Sequence, residues 1–508
     1  MRSLALQHTP PQKVSNTSSG HRLRGRGLRK PLWIRALGRA RGWMVGAAVL
    51  GLSAGAQAEP RSTDAYLDQT RSRWEGLAKQ VWDAAELANR EKKSAKALAD
   101  ALQKEGFKVT WGLGGEETAF VAVAGSGSPT VALLAEYDAL PGLSQAAGQA
   151  NKSPLVENGS GHGCGHNLLG TATVAAAIAA NRERQARKLP GTIQLFGTPA
   201  EEVLYGKTFM VRDGAFRGTD VVLSWHPEEQ NRVVNRTRLA VASANVEFFG
   251  RSSHASSAPW AGRSALDALM LFDHAMALMR EHIKPTGRIH RIVKEGGAAA
   301  NIIPDHTLGE YWARDADGAS VNEMLARMKK AAEGAAMATE TRAEFKVLFN
   351  TREPVPNEAL AAVVQKELER VGPPHFDEKS IAFAKSMQKE LGLEQKGLAA
   401  AVMPYAQRNG GTGSSDIGEV SAVVPLVELG VATRPLGTVA HHWAQTACAA
   451  HPIGYEGMMV SAKVLSASTV DLLGDTATVK AAKDEFAKTT AGKPYVSPLA
   501  ADAKPPKT

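Results

Sequence analysis

Gly161-His162-Gly163-Cys164-Gly165-His166-Asn167-Leu168-Leu169-Gly170 is the stretch around which this chain is arranged. A thiol and an imidazole two residues apart stand where a glycine-rich turn gives way to the alanine-rich run Thr171 to Ala180. Such a turn lets borderline ligands converge on one cation, and the following helix carries the chain away. Alone, Cys-x-His is a weak signal. Its meaning depends on whether other segments supply further ligands, a base and a pocket.

Upstream, Val131 to Ala135 is apolar throughout, the pattern of a strand buried on both faces in a parallel sheet. Downstream, Thr192 to Phe196 and Val221 to Ser224 repeat it. Strand, helix, strand in this order predicts an α/β sheet with right-handed crossovers. Before it, Asp64 to Asn89 reads as one amphipathic helix with Leu67, Trp74, Leu77, Val81 and Trp82 on one face. A second helix is predicted over Ser94 to Glu105, then strands over Phe107 to Trp111 and Ala119 to Ala124.

From residue 238 to 352 the rhythm changes to strand, helix, strand, strand, helix, strand, with strands over Leu239 to Phe248, Arg288 to Lys294, Thr307 to Arg314 and Ala343 to Phe349. That order is the split βαβ unit of ferredoxin-like α+β domains, and it reads as an insertion. Helices then return, followed by the glycine- and serine-rich Asn409 to Ser415 and a strand-like Ala422 to Leu429. From Thr489 onward Lys, Pro and Ala dominate, which predicts a mobile tail over 489–508. The expected organisation is an α/β domain in two parts, 59–237 and 353–488, around an inserted domain at 238–352.

Residues 1–58 hold ten Lys or Arg and no acid, then the apolar run Met44 to Leu52 and Ala56-Gln57-Ala58. This is the layout of a secretory signal peptide with cleavage before Glu59, and it predicts an exported, periplasmic protein. The apolar run is too short to span a bilayer. The chain carries +9, and subtracting the ten charges of this segment leaves −1. The basic balance therefore belongs to the leader, and no nucleic-acid footprint is left on the body. Cys164 and Cys448 are the two cysteines, so a disulfide between them in an exported binding protein is the competing reading of Cys164.

Ligands of open α/β sheets bind outside the carboxyl ends of the strands. Glu136-Tyr137-Asp138 follows the first buried strand, Pro199-Ala200-Glu201-Glu202 the second, and Trp225-His226-Pro227 the third. His441-His442 follows the last strand after a loop. Five segments, counting the Cys/His turn, thus converge on one edge. In a pair such as Glu201-Glu202, one carboxylate can bind a cation while the other moves a proton. An acidic start to the next helix is the ordinary alternative for them. Of His441 and His442 at most one can face the cleft, His162 is a further candidate, and Asp138 is placed to orient a ligand imidazole.

The run Leu134 to Pro141, the Gly-His-Gly-Cys-Gly-His-Asn turn, Pro-Ala-Glu-Glu at 199–202 and Ser224-Trp225-His226-Pro227 resemble the metal-dependent amidohydrolases that include aminoacylases, hippurate hydrolases and auxin-conjugate hydrolases. Within them the resemblance is greatest to the p-aminobenzoyl-glutamate hydrolase branch, which also has room for Asn167 and for Ser415-Asp416. It implies a zinc-peptidase-like α/β catalytic domain with a ferredoxin-like lid or dimerisation domain. It further implies that Cys164, His166, Glu202, His226 and His441 ligate two divalent metal ions, Mn²⁺ or Zn²⁺. Glu201 is then the general base and acid, and His254 in Gly250 to Ala255 steadies the oxyanion, often in the partner's site. Asn301 and Arg314 become binders of the substrate. The implied activity is hydrolysis of an amide between an acyl or aroyl group and an amino acid, by a homodimer joined through the lid or with a related second subunit. A dipeptidase or N-acyl-amino-acid deacylase with the same centre is the alternative.

Overall fold

The computed structural model describes residues 61–234, 238–405, 413–499 and 501–506. The expected leader and its cleavage point lie outside the described residues.

Eleven strands form two sheets among the described residues: β1 (Lys108–Trp111), β2 (Phe120–Ser126), β3 (Thr130–Ala135), β4 (Gly191–Gly197), β5 (Val221–Glu228), β6 (Arg232–Val234), β7 (Ala240–Phe249), β8 (Arg288–Glu295), β9 (His306–Asp315), β10 (Arg342–Thr351) and β11 (Leu426–Ala432). The larger sheet has the order β1-β2-β4-β3-β5-β11-β6. Its four central strands, β4, β3, β5 and β11, run parallel; β2 and β6 flank them antiparallel, and β1 pairs antiparallel with β2. Alternation along β3 explains why it is apolar throughout. Val131, Leu133 and Ala135 enter one core, Ala132 and Leu134 the core on the opposite face.

The helix His166–Ala186 lies in the first of these cores, and its side chains from His166 to Asn181 are all buried. Small residues permit that proximity. A Cβ on Gly170 would stand 2.7 Å from the carbonyl oxygen of Glu136, so the helix meets the end of β3 where only glycine fits. Gly165 caps the helix at φ +81°, a left-handed conformation that glycine adopts without steric cost.

The smaller sheet has the order β10-β7-β9-β8, antiparallel throughout, with the helices Ala265–Met279 and Gly318–Ala338 packed on it around Phe248, Phe272, Met276 and Met328. Connectivity and order are those of a ferredoxin-like unit.

Three local expectations differ from the structure. The helix expected over 64–89 is two, Ser62–Gln69 and Arg71–Ala84. At the break, the Thr70 hydroxyl donates to the Tyr66 carbonyl at 2.7 Å and accepts from the Trp74 indole at 2.9 Å, a side-chain competition that interrupts helices. β5 continues to Glu228 because β11 pairs with it as far as Ala432, so His226 lies inside a strand and not beyond it. Ahead of β11, residues Ile417–Ser421 form a short helix, and the strand starts at Leu426.

The stretch after Thr489, expected as mobile, is exposed over 491–494 and meets the body further on. Leu499 is buried among Ala200, Leu204, Val241 and Phe349. Among the described residues no helix is long and apolar enough to cross a membrane.

Candidate metal centre

The carboxyl ends of the parallel strands bring the polar segments together, as the topology requires. Glu136 and Asp138 follow β3, Glu201 and Glu202 follow β4, His226 is in β5, and His441 lies beyond β11. Cys164 and His166 enter from the turn that starts the long helix.

Cys164 Sγ lies 3.4 Å from His226 Nε2. The Nδ1 of His226 is 2.9 Å from the Pro227 carbonyl, which also accepts from Arg434 at 2.8 Å. That neighbour assigns the ring proton to Nδ1 and leaves Nε2 toward the thiol. Likewise, Nδ1 of His166 faces Asp138 Oδ1 at 2.9 Å, while its Nε2 is buried with no hydrogen-bond partner. His441 Nε2 stands 3.1 Å from Glu202 Oε2, and Glu202 Oε1 is also buried without a hydrogen-bond partner.

Three triplets result, one of them Glu136, His166 and Glu201 and the other two sharing Cys164. Ligand atoms of Cys164, His166 and His226 all lie within 4.8 Å of one another, and so do those of Cys164, Glu202 and His441. Cys164 belongs to both. One thiolate, three imidazoles and one carboxylate form a donor set suited to divalent cations of intermediate softness. Ligation would also give a partner to Glu202 Oε1 and to His166 Nε2, which otherwise faces only Glu136 Oε2 at 3.3 Å.

The proton distribution supports the same reading. Against a burial that favours the neutral thiol, His226 and His166 hold Cys164 well below the usual thiol range. Against burial, the Cys164 thiolate raises His226 to about 9, and Cys164 with Asp138 keeps His166 well above the ordinary imidazole value. Hydrogen bonds to Cys164 and Glu202 raise His441 to about 10. Burial, then the Cys164 charge, pushes Glu202 up to about 7. Without a cation, protons neutralise the cluster, and metal binding would displace them.

Glu201 is on a single 3₁₀ turn, Glu201–Val203, flanked by Ala200 at φ 59° and Leu204 at φ 61°. Left-handed backbone at a residue with a Cβ costs on the order of 1 kcal/mol, so this turn is held from outside. The Ala200 amide donates to Glu91 Oε1 at 2.9 Å and the Glu202 amide to Asp138 Oδ2 at 2.8 Å. The Glu201 carboxylate is 3.9 Å from His166 Nε2, and burial, then Glu136 and Glu202, raise its pKa well above the carboxylate range. A buried carboxylate of raised basicity beside a cation site is equipped to take up and return a proton.

The remaining candidates lie elsewhere. His254 is exposed, and its Nδ1 accepts from the Ser256 and Ser257 amides at 3.2 Å. Asn301 is also exposed, its carbonyl accepting from the Ala255 amide. Neither joins the triplets within one chain. Arg314, half-buried, lies over the Trp312 ring and donates to Ser414 Oγ at 3.2 Å. His162 is turned away to the Val81 carbonyl at 3.0 Å, with burial lowering its pKa to about 4. His442 caps the helix Trp443–Cys448. Both cysteines are free thiols, Cys448 lying 4.0 Å from the Met387 sulfur, so the disulfide reading of Cys164 does not hold.

Sequence reasoning missed Glu136, Lys207 and Asp416. Lys207 Nζ is fully buried between Glu136 Oε1 at 2.8 Å and Asp416 Oδ1 at 2.7 Å. Glu136 stood in the motif after β3 and was legible only as a strand end. For Lys207 the sequence carried no signal, and Asp416 was legible only within the Ser415-Asp416 pair of the resemblance, since buried ion pairs join residues far apart in the chain.

The fold and these residues have counterparts among known proteins. The profile of peptidase family M20/M25/M40 matches residues 132–433. The chain is 35% identical over 472 residues to one of the subunits of the p-aminobenzoyl-glutamate hydrolase of Escherichia coli (strain K12), covering 88% of this chain and 98% of that protein. It is 30% identical over 459 residues to the Xaa-Arg dipeptidase of Mus musculus, covering 86% and 94%. Among solved structures, a dinuclear metal binding peptidase of Bacillus subtilis superposes with a TM-score of 0.55 at 17% identity, over 80% of this chain and 99% of that one. The protein is thus a hydrolase of amide bonds and belongs to peptidase family M20/M25/M40.

Proposed function

We propose that this protein cleaves the amide between an acyl or aroyl group and an amino acid, with p-aminobenzoyl-glutamate-like compounds as substrates. The observation that carries the reading is the placement of Glu201 beside two ligand triplets that share Cys164. The similarity to an enzyme named for p-aminobenzoyl-glutamate supports the substrate class. The similarity to a Xaa-Arg dipeptidase makes dipeptides the second class to test.

In this reading Cys164, His166, Glu202, His226 and His441 hold two divalent cations. When bound, these would polarise the scissile carbonyl and render water nucleophilic near neutral pH. Thiolate and imidazole favour Zn²⁺, whereas the carboxylate leaves room for Mn²⁺. Glu201 accepts the proton of the attacking water and returns it to the departing amine. His254 steadies the oxyanion, and Asn301 and Arg314 hold the amino-acid part of the substrate.

Since His254 is exposed and joins none of the triplets of its own chain, we assign it to the site of a second copy. The inserted domain carries apolar surface for such a contact: Met270, Leu271 and Leu278 on one helix, Ile292 and Val293 on the edge strand β8. An unpaired edge strand is a ready pairing surface. A related protein as second subunit is a further proposed partner, because the Escherichia coli relative is itself named as one of an enzyme's subunits. The leader assigns the mature protein to the periplasm.

A substrate panel on protein loaded with Zn²⁺ or Mn²⁺ tests the reading. Faster hydrolysis of p-aminobenzoyl-glutamate than of hippurate or dipeptides is expected. A preference for dipeptides would replace it with the second class, and no hydrolysis of any amide would remove it.

A further inference from the structure

The turn that bears Glu201 is held by the buried acids Glu91 and Asp138, and Lys207 in the helix that follows it is held by two more, Glu136 and Asp416. Directly after the turn, a Cβ on Gly206 would stand 1.8 Å from the Pro199 carbonyl, so the chain folds back on its own entry and brings Lys207 beneath the turn. The backbone amide of Lys207 donates to Asp416 Oδ2 at 2.8 Å, and its Nζ to Asp416 Oδ1 at 2.7 Å. The same Nζ holds Glu136 Oε1 at 2.8 Å, while Glu136 Oε2 lies 3.3 Å from His166 Nε2. Lys207 and Asp416 are wholly shielded from solvent, and a charge buried there without its partners would be very unfavourable.

Asp416 in turn follows Ser414 and Ser415. The Ser414 hydroxyl accepts from Arg314 on β9, and the Ser415 carbonyl accepts from the Thr351 hydroxyl at the end of β10. Arg314 of the inserted domain is thus joined to Asp416 through Ser414 and the backbone that follows it, Asp416 to Lys207 by an ion pair, and Lys207 to Glu201 through Glu136 and His166, whose Nε2 lies 3.3 Å from Glu136 Oε2 and 3.9 Å from the Glu201 carboxylate.

We propose that the buried Glu136–Lys207–Asp416 ion triad fixes the Glu201 carboxylate over the metal centre and links it to the Arg314 edge of the inserted domain, which makes Lys207 and Asp416 positioning residues of the reaction. The inference rests on Glu201 being the base. Its physical basis is that proton transfer depends on sub-ångström placement, and that misplacement by about 1 Å costs on the order of 10²-fold in rate. The turn cannot supply that precision itself, since two of its flanking residues sit in left-handed backbone that only external contacts maintain.

The test uses the full chain loaded with metal and the variants Lys207→Met and Asp416→Asn, each alone and combined with Glu201→Gln. Expected is a fall in kcat of on the order of 10–10²-fold, with KM and bound metal unchanged. Amide exchange at Ala200 and Glu202 should accelerate. In the Glu201→Gln background neither change should lower the residual rate further, because residues acting as one unit are non-additive. Should Lys207→Met not fold, the isosteric Asp416→Asn carries the test. Wild-type kcat in a folded, metal-loaded Asp416→Asn protein would overturn the inference. So would a loss that tracks lost metal, or one that adds in full to that of Glu201→Gln. If Glu201→Gln itself keeps full turnover, the proposed base is wrong, an outcome distinct from failure of the triad alone.

Discussion

Asp138 and His166 meet at 2.9 Å, Oδ1 to Nδ1, and the other oxygen of the same carboxylate accepts the Glu202 amide. One buried side chain thus orients a candidate ligand in each triplet. Asp138→Ala should weaken metal binding by roughly 10–100-fold, the usual effect of removing a partner behind a ligand histidine. Competition with a chromophoric chelator measures it, and an unchanged affinity would show that His166 needs no such support.

Metal binding should tighten as pH rises. His226, at about 9, and His441, at about 10, hold protons near neutral pH in the absence of metal, and Glu202, at about 7, holds one in part. Each must lose its proton to ligate. These three raised values also mean that the folded metal-free protein retains protons the unfolded chain gives up. Their contribution to stability is fully present at low pH and is lost as pH rises through 7 to 10. The increase in Tm on adding Zn²⁺ should therefore grow between pH 6 and pH 9. Calorimetric scans with and without Zn²⁺ check this, and an increment that shrinks with pH would contradict the assignment of these groups as ligands.

Asn167 shows why an amide stands beside the ligands. It is fully buried, and its Nδ2 donates to the carbonyls of Ala78 at 3.2 Å and Ala449 at 2.8 Å. A carboxylate could donate to neither and would face two carbonyl oxygens in a dry core. Asn167→Asp should cost roughly 3 kcal/mol of stability. Urea unfolding of the metal-free protein provides the number, and a change within about 0.5 kcal/mol would mean that the site admits water.

If His254 serves the other protomer, two inactive variants should complement one another. Mixing Glu201→Gln and His254→Ala proteins after dissociation and reassociation gives hybrids with one complete site. Activity should return to about one quarter of wild type, as random pairing in a symmetric dimer requires. Recovery of nothing, with hybrids present by mass, would place His254 outside the reaction.

The apolar run Val131 to Ala135 and the Cys/His turn carried the α/β fold in the sequence because burial on both faces leaves no polar alternation. The inserted domain was legible from its element order alone. The extent of β5 was not, since pairing with β11 draws His226 into the strand. Within the site, Cys164, His166, Glu202, His226 and His441 could be named from strand ends and a family resemblance, and the structure brings all five together. The pairing of Lys207 with Asp416 escaped notice because it is purely tertiary. His254 and Asn301 are exposed and join none of the triplets within one chain, so what they do was not legible from strand ends.

The proposed role of Glu201 is to move protons for a centre that Cys164, His166, Glu202, His226 and His441 build. The decisive assay is kcat of Glu201→Gln on p-aminobenzoyl-glutamate, taken alongside bound metal per chain. A loss of roughly 10³-fold in kcat with both cations retained is expected. Wild-type turnover in the Gln variant, or loss of the metal with it, would show that Glu201 is not the base.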